Sequence, residues 1–189
     1  MVQLPVSLPN LITILRILLV PLAVNFLIDR AFAAALVVFI VAGVSDGVDG
    51  YIARRFNLQS ELGAYLDPLA DKALLVSIYV TLAFQGLMPT WLAIVVVTRD
   101  VLIVGAVLLA WVMDRPMSMK PFWISKLNTV AQIVFAVLLL ATLAAGWQDD
   151  RLILASAAVV GFLTTASGLT YMRFWVRHMM AAPSQGKPL

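Results

Sequence analysis

The sequence predicts an all-α protein, a polytopic membrane bundle of six transmembrane helices with a short N-terminal interfacial helix. Of its 189 residues, 62% are hydrophobic and only 12% are charged, whereas a soluble domain is about half apolar and about a quarter charged. Six apolar segments, each near the ~20 residues that span a ~30 Å hydrocarbon core, follow one another with short connections. We expect these segments at about 11–29, 33–53, 62–84, 90–112, 124–146 and 152–174.

The chain is expected to form one membrane domain over 1–178, followed by a disordered tail over 179–189. There is no cysteine, which excludes disulfides and thiolate metal sites and leaves oxygen ligands for any metal. The net charge of +3 does not indicate nucleic-acid binding, because basic residues in a membrane protein first set its orientation.

The distribution of Lys and Arg predicts that both termini are cytoplasmic. Six spans place both termini on one side, which receives eight basic residues, while the other side receives only Arg30 and Arg151. Positive charge accumulates on the cytoplasmic side. The eight residues are Arg54, Arg55, Arg115, Lys120, Lys126, Arg173, Arg177 and Lys187. Without a visible transit peptide, we expect a multi-pass protein of a bacterial inner (cytoplasmic) membrane.

Four aspartates in the second and third spans form the most informative cluster. Asp46 and Asp49 are three residues apart, and Asp67 and Asp71 are four apart, so each pair shares one helix face. The short connection makes the two helices antiparallel neighbours. We therefore expect the two acidic faces to converge near the cytoplasmic end.

The energetic cost of these acids predicts a metal site. One Asp at mid-membrane costs roughly 2.5–3.5 kcal/mol, so four cost on the order of 10 kcal/mol, comparable to the stability of a whole domain. Such a cluster persists only when cations neutralise it. An all-oxygen donor set favours Mg²⁺ or Mn²⁺, and four carboxylates suffice for two divalent ions, which suits displacement at phosphorus.

Glycines accompany the acids. Gly50 and Gly63 leave backbone exposed, so that a nucleotide or pyrophosphate can approach closely. Gly43 and Gly47 are instead expected to serve helix–helix packing, which membrane bundles achieve through small residues.

The same run of residues resembles the signature of the CDP-alcohol phosphotransferase family. It reads D-x-x-D-G-x-x-A-R, eight further residues, and then G-x-x-x-D-x-x-x-D, without departure. The matching positions are Asp46, Asp49, Gly50, Ala53, Arg54, Gly63, Asp67 and Asp71. Members of this family are six-helix membrane enzymes that move a phosphatidyl group from a CDP-linked lipid to an alcohol and release CMP.

The resemblance implies a role for each matching residue. The four aspartates would hold two divalent ions over the CDP pyrophosphate, and Asp71 would also be the general base for the acceptor hydroxyl. Gly50, Ala53 and Gly63 would line the cytidine pocket, and Arg54 would contact a phosphate. The family resemblance also suggests a homodimer.

Outside the signature, the chain looks most like the cardiolipin-forming branch of the family. The similar segments are 8–22, 98–104, 120–132 and 163–174. This likeness implies CDP-diacylglycerol as donor and phosphatidylglycerol as acceptor. Glycerol 3-phosphate stays open as an alternative acceptor, which would make the chain a phosphatidylglycerophosphate synthase.

Several polar residues are candidates for contacts with the acceptor or its phosphate. Ser125, Asn128 and Gln132 share one face of the fifth span and either line the acceptor site or make interhelical hydrogen bonds. Arg99 either binds an acceptor phosphate or pairs internally with Asp100. The candidates are Arg16, Arg99, Lys120, Ser125, Lys126 and Asn128. Arg16 has a second interpretation, in which its side chain extends to the membrane interface.

Two other classes of protein fit the sequence less well. An ion or proton transporter also uses intramembrane acids, but these acids are expected at one membrane face, and the chain has no internal repeat of the kind common in transporters. A structural or assembly protein without activity would leave the charge cost of the acids without compensation.

Overall fold

The computed structural model describes the backbone of residues 8–55, 61–113, 123–147 and 149–180. It describes the side chains of the same residues, except 8–14, 46–55, 61–71 and 111. These residues form six helices and no strand, which confirms the all-α prediction. The helices are α1 (Leu8–Ile28), α2 (Phe32–Arg55), α3 (Glu61–Phe84), α4 (Thr90–Val112), α5 (Trp123–Ala144) and α6 (Asp150–Met180).

The ends of the chain differ somewhat from the expected boundaries. Helix α6 has 31 residues and is therefore about 46 Å long at 1.5 Å per residue. It is longer than the expected apolar segment because helical hydrogen bonding continues through polar residues such as Arg177 and His178. It includes the first two residues of the expected tail. The interfacial helix was expected either before the first span or merged with it. Helix α1 begins at Leu8, and residues 1–7 and 181–189 lie outside the described residues.

Helices long and apolar enough to cross a membrane are present in the described part of the chain. Three meet this criterion by length and composition: Thr90–Ala110, Trp123–Ala144 and Asp150–Met180. Shorter apolar helical stretches lie in α1, α2 and α3, at Leu15–Ile28, Phe32–Ser45 and Lys72–Phe84. The fold is thus a membrane helical bundle.

Three tight turns close one end of the bundle, which we call the turn end. A residue with positive φ follows α1, α3 and α5: Arg30 (57°), Gly86 (71°) and Gly146 (66°). After α3, the amide of Gly86 donates to the Ala83 carbonyl (3.0 Å) and the amide of Leu87 to the Leu82 carbonyl (2.9 Å). This pattern is the Schellman motif, which satisfies the last carbonyls of a helix.

The opposite end of the bundle, where α2 ends and α3 begins, is called the motif end. Helix α1 packs against α2 and α3, and α6 packs against α4 and α5. Contacts of α2 with α5 and of α3 with α4 join these two groups. Leu27, Tyr79 and Leu139, at 0–1% exposure, lie in the apolar core between them.

Candidate active site

The motif residues lie on the halves of α2 and α3 that meet at the motif end. Asp46 and Asp49 belong to the last turns of α2, and Asp67 and Asp71 belong to the first half of α3. Only residues 56–60 separate these helices, so the backbone places both acidic segments at one end of the bundle. The side chains of all four aspartates lie outside the described residues, as do those of Gly50, Ala53, Arg54 and Gly63.

The donor chemistry of the motif fits a hard divalent cation, because all its ligands would be carboxylate oxygens. Among the side chains that the structure describes, no group of three or more His, Cys, Asp or Glu is placed to hold a metal ion. The four aspartates are not among those side chains. Coordination of two ions by Asp46, Asp49, Asp67 and Asp71 therefore stays a prediction.

A cavity lies beside the acid-bearing helices and is lined by residues of α1, α2, α3 and α5. Its volume is about 510 Å³, within the range of roughly 300–1,000 Å³ that is usual for ligand sites. Most of its described lining is apolar. Ile40 and Val44 of α2 and Ile133 of α5 line it and are 42–60% exposed, so the cavity opens between α2 and α5 on the outer surface of the bundle.

Two lining residues differ from what the sequence suggested. Among the described side chains, a Cβ atom at Gly43 would meet nothing within 4 Å, so the expected packing role of Gly43 has no contact behind it there, and Gly43 instead borders the cavity. Arg16 is only 1% exposed and also lines the cavity. It therefore does not extend to the membrane interface.

Arg99 and Asp100 form an internal ion pair, one of the two interpretations that the sequence left open. Arg99 Nη1 lies 2.7 Å from Asp100 Oδ1, and both residues are buried. The Lys72 ammonium group lies 2.6 Å from the same carboxylate oxygen. Asp100 thus pairs with cations from both α3 and α4.

The same arginine connects three helices. Arg99 Nη2 donates hydrogen bonds to Ser125 Oγ of α5 (2.6 Å) and to Ser167 Oγ of α6 (2.9 Å). The Arg99 guanidinium carbon lies 5.8 Å from the centre of the Tyr171 ring, within cation–π distance. The Ser125 hydroxyl is therefore bonded to Arg99. A contact of Ser125 with the acceptor stays a prediction.

The polar face of α5 makes interhelical hydrogen bonds, as one of its two interpretations proposed. Gln132 Nε2 donates to Thr164 Oγ1 (3.3 Å), which donates to Asn128 Oδ1 (2.8 Å). The Tyr79 hydroxyl of α3 donates to the backbone carbonyl oxygen of Gln132 (3.0 Å). Asn128 and Gln132 are almost fully buried, so α5 is joined to both α3 and α6.

The two remaining basic candidates differ in position. Lys126 is exposed, and its ammonium group lies 5.9 Å from the centre of the Trp123 ring. It lies beside the buried polar face of α5 rather than on it. Lys120 lies outside the described residues. A phosphate contact by either lysine stays a prediction.

The α6 side of this polar network was not among the residues predicted from the sequence. Thr164, Ser167 and Tyr171 are spaced at i, i+3 and i+7 and are all buried, so they share one helix face. This spacing was readable in the sequence, and hydroxyl groups on one face of a membrane helix favour interhelical hydrogen bonds. Their partners, by contrast, required the packing of α6 against α4 and α5.

These features define the class of the molecule: a helical integral membrane protein with an acid-bearing motif at one end and an adjoining apolar cavity. A family model described as CDP-alcohol phosphatidyltransferase matches residues 6–162. The chain therefore belongs to the CDP-alcohol phosphatidyltransferase family.

Individual relatives carry two different names. The chain is 32% and 33% identical, over 186 residues each, to CMP-forming cardiolipin synthases of Rattus norvegicus and Homo sapiens. These comparisons cover 90% of this chain but only 62% of either relative. It is 35% identical over 177 residues to a CDP-diacylglycerol–glycerol-3-phosphate 3-phosphatidyltransferase of Pseudomonas fluorescens, covering 88% of this chain and 89% of that relative.

Proposed function

We propose that this chain transfers the phosphatidyl group of CDP-diacylglycerol to phosphatidylglycerol, forming cardiolipin and CMP. The proposal depends on one observation above all: the complete acidic motif lies on the adjoining ends of α2 and α3. Carboxylates that cost this much free energy to place in a membrane are expected to serve a function. Membership of the CDP-alcohol phosphatidyltransferase family indicates that this function is phosphatidyl transfer.

The proposed reaction is a single in-line displacement. Asp71 removes the proton of the acceptor hydroxyl, and the hydroxyl oxygen attacks the phosphorus that carries diacylglycerol. The bond from that phosphorus to the CMP oxygen breaks, and CMP leaves with the bonding electrons. Two Mg²⁺ or Mn²⁺ ions, held by the four aspartates, would offset the negative charge that develops on both oxygens. Gly50, Ala53, Arg54 and Gly63 are proposed to bind the CDP portion.

The cavity supports a lipid substrate and is compatible with a lipid acceptor. Phosphatidylglycerol brings acyl chains and needs a site that is apolar and open to the bilayer, as this cavity is at Ile40, Val44 and Ile133. Glycerol 3-phosphate is a small dianion and needs no apolar groove, whereas CDP-diacylglycerol, the donor in either reaction, does. The names of the rat and human relatives also favour phosphatidylglycerol, and the name of the Pseudomonas relative favours glycerol 3-phosphate.

The location of the reaction is part of the proposal. The eight-to-two distribution of basic residues over the two sides supports a cytoplasmic motif end and cytoplasmic termini. We place the protein in a bacterial inner membrane and infer that it acts as a homodimer, as the family resemblance suggests.

A reconstituted assay tests the acceptor. Purified protein is supplied with labelled CDP-diacylglycerol, Mg²⁺ or Mn²⁺, and either phosphatidylglycerol or glycerol 3-phosphate, and lipid products and CMP are measured. We expect cardiolipin with phosphatidylglycerol, and no product after chelation of the metal. Product with glycerol 3-phosphate only would overturn the proposed acceptor, and product that persists after thorough chelation would overturn the metal-assisted reaction.

A further inference from the structure

Lys72 of α3 occupies a position at which its charge is both fixed and accessible. Its ammonium group lies 2.6 Å from Asp100 Oδ1, and its side chain is 42% exposed whereas that of Asp100 is 9% exposed. Lys72 also lines the cavity and directly follows Asp71 in the sequence. We propose that Asp100 is a positioning residue that holds the Lys72 ammonium group at the cavity wall, where Lys72 binds a phosphate group of a lipid substrate.

Asp100 is suited to fixing a charge because it is itself fixed. Its Oδ1 atom also pairs with Arg99 Nη1 at 2.7 Å. Arg99 is held in turn by hydrogen bonds to Ser125 and Ser167. The carboxylate therefore cannot rotate away without breaking its contacts with Lys72 of α3 and with Arg99, whose own guanidinium group is hydrogen-bonded to α5 and α6. A flexible lysine stem gains a defined position from this rigid partner.

Lys72 is suited to binding a ligand because the ion pair leaves part of its ammonium group available. An ammonium group has three N–H donors, and the cavity beside it is otherwise mostly apolar. A phosphate attached to acyl chains matches a cation in such a wall. Both the donor and the acceptor of the proposed reaction carry this group, and the inference rests on that proposed function.

The affinity of the protein for phospholipids tests Lys72 without any need for turnover. The dissociation constants of phosphatidylglycerol and CDP-diacylglycerol are measured separately in detergent micelles, with diacylglycerol as the phosphate-free control. We expect Lys72→Met to weaken the binding of one phospholipid by about 10- to 100-fold, because a charge-assisted hydrogen bond is lost. Lys72→Arg should weaken it less, and diacylglycerol should bind all three proteins equally.

The lipid whose affinity changes identifies the phosphate that Lys72 contacts. Equal affinities of the wild type and Lys72→Met for both phospholipids would overturn the inference. If the affinities stay equal while the wild type makes cardiolipin, this inference fails and the proposed function stands. If the affinities change but no acceptor is used, the proposed function fails instead.

Steady-state kinetics of a variant of Asp100 test the positioning role. Asp100→Asn should raise KM for the lipid identified above far more than it lowers kcat. Because Asp100 acts through Lys72, the double variant with Lys72→Met should be no worse than Lys72→Met itself. Should Asp100→Asn fail to fold, Asp100→Glu keeps the charge beside Arg99, shifts the carboxylate by one methylene, and should raise the same KM.

Ser167→Ala is the matched control. It removes a hydrogen bond to Arg99 in the same network but leaves the contact between Lys72 and Asp100 intact. We expect it to lower Tm but to raise the KM of that lipid far less than Asp100→Asn does, because Asp100 keeps its contact with Lys72. If the Asp100 variants change only Tm, Asp100 is structural and the positioning role is overturned.

Discussion

Asp100 shows how a single residue can be tolerated inside an apolar helix. It is 7% exposed and lies within contact distance of both Arg99 and Lys72. Removing one partner of a buried ion pair typically costs about 3–5 kcal/mol, because the other charge is left uncompensated. The pair therefore makes the register of α4 against α3 costly to change.

At the residue scale, the clearest prediction concerns the proposed base. Asp71→Asn keeps the size of the side chain but cannot accept the hydroxyl proton, so the rate of CMP release should fall by on the order of 10²–10⁴ or more. The rate is measured in the reconstituted assay, and circular dichroism checks that the variant is folded.

An aspartate at the turn end provides the control for this change. Asp149 Oδ1 accepts hydrogen bonds from the amides of Arg151 (3.0 Å) and Leu152 (3.2 Å), so Asp149 caps the start of α6. Asparagine caps helices about as well as aspartate, and Asp149→Asn should leave CMP release unchanged. Normal turnover by Asp71→Asn would show that Asp71 is not the base.

At the scale of the helices, packing depends on where a backbone lies close to a neighbour. A Cβ atom at Gly161 of α6 would lie 2.5 Å from a ring carbon of Trp91 in α4. At Gly168, the nearest atom would be Arg99 Cγ at 3.4 Å, an ordinary contact. The side chains of α4 therefore leave less room at Gly161 than at Gly168.

Alanine substitutions test this difference between two glycines of one helix. Gly161→Ala should destabilise the protein by about 1–3 kcal/mol, because Trp91 must move. Gly168→Ala should be neutral or stabilising by up to about 1 kcal/mol, because alanine favours helix over glycine. Thermal unfolding in detergent measures both. Adding Trp91→Leu to Gly161→Ala should restore Tm, and equal effects of the two alanines would contradict the inferred close approach.

The open space at Gly43 of α2 gives a second prediction at this scale. Gly43→Phe should fold, since its Cβ would meet none of the described atoms within 4 Å, but its ring should occupy the cavity and exclude acyl chains. We expect kcat/KM for the lipid substrates to fall by at least about tenfold. In the part of the chain that the structure describes, Gly105 of α4 also has no neighbour within 4 Å and is not among the residues that line the cavity, so Gly105→Phe should retain activity. Equal activity of the two variants would show that the cavity holds no substrate.

At the scale of the whole molecule, the distribution of charge predicts an orientation that cysteine labelling can check. The chain has no native cysteine, so single cysteines report without background. Asp29→Cys lies at the turn end and Met180→Cys at the opposite end of α6, and both positions are exposed. A membrane-impermeant maleimide should label Asp29→Cys in intact cells. It should label Met180→Cys only after the cells are permeabilised. The reverse result would place the motif end outside the cytoplasm.

The sequence by itself determined the features that depend on local chemistry. Hydrophobicity over about 20 residues set the helices, since the bilayer requires that length, and five of the six expected segments match a helix to within three residues at either end. The motif specified the family, because its residues and their spacing are local. The convergence of the four acidic side chains is still a prediction from that spacing.

Only the tertiary structure decided which helix faces meet. Arg99 was expected to find either a ligand or Asp100, and packing gave it Ser125 and Ser167 as well, 26 and 68 residues away. The pairing of Lys72 with Asp100 and the cavity beside Gly43 likewise arise between different helices and not within one. A helix shows its own polar faces in its sequence, but its rotation and crossing relative to its neighbours are set by the packing of all six together.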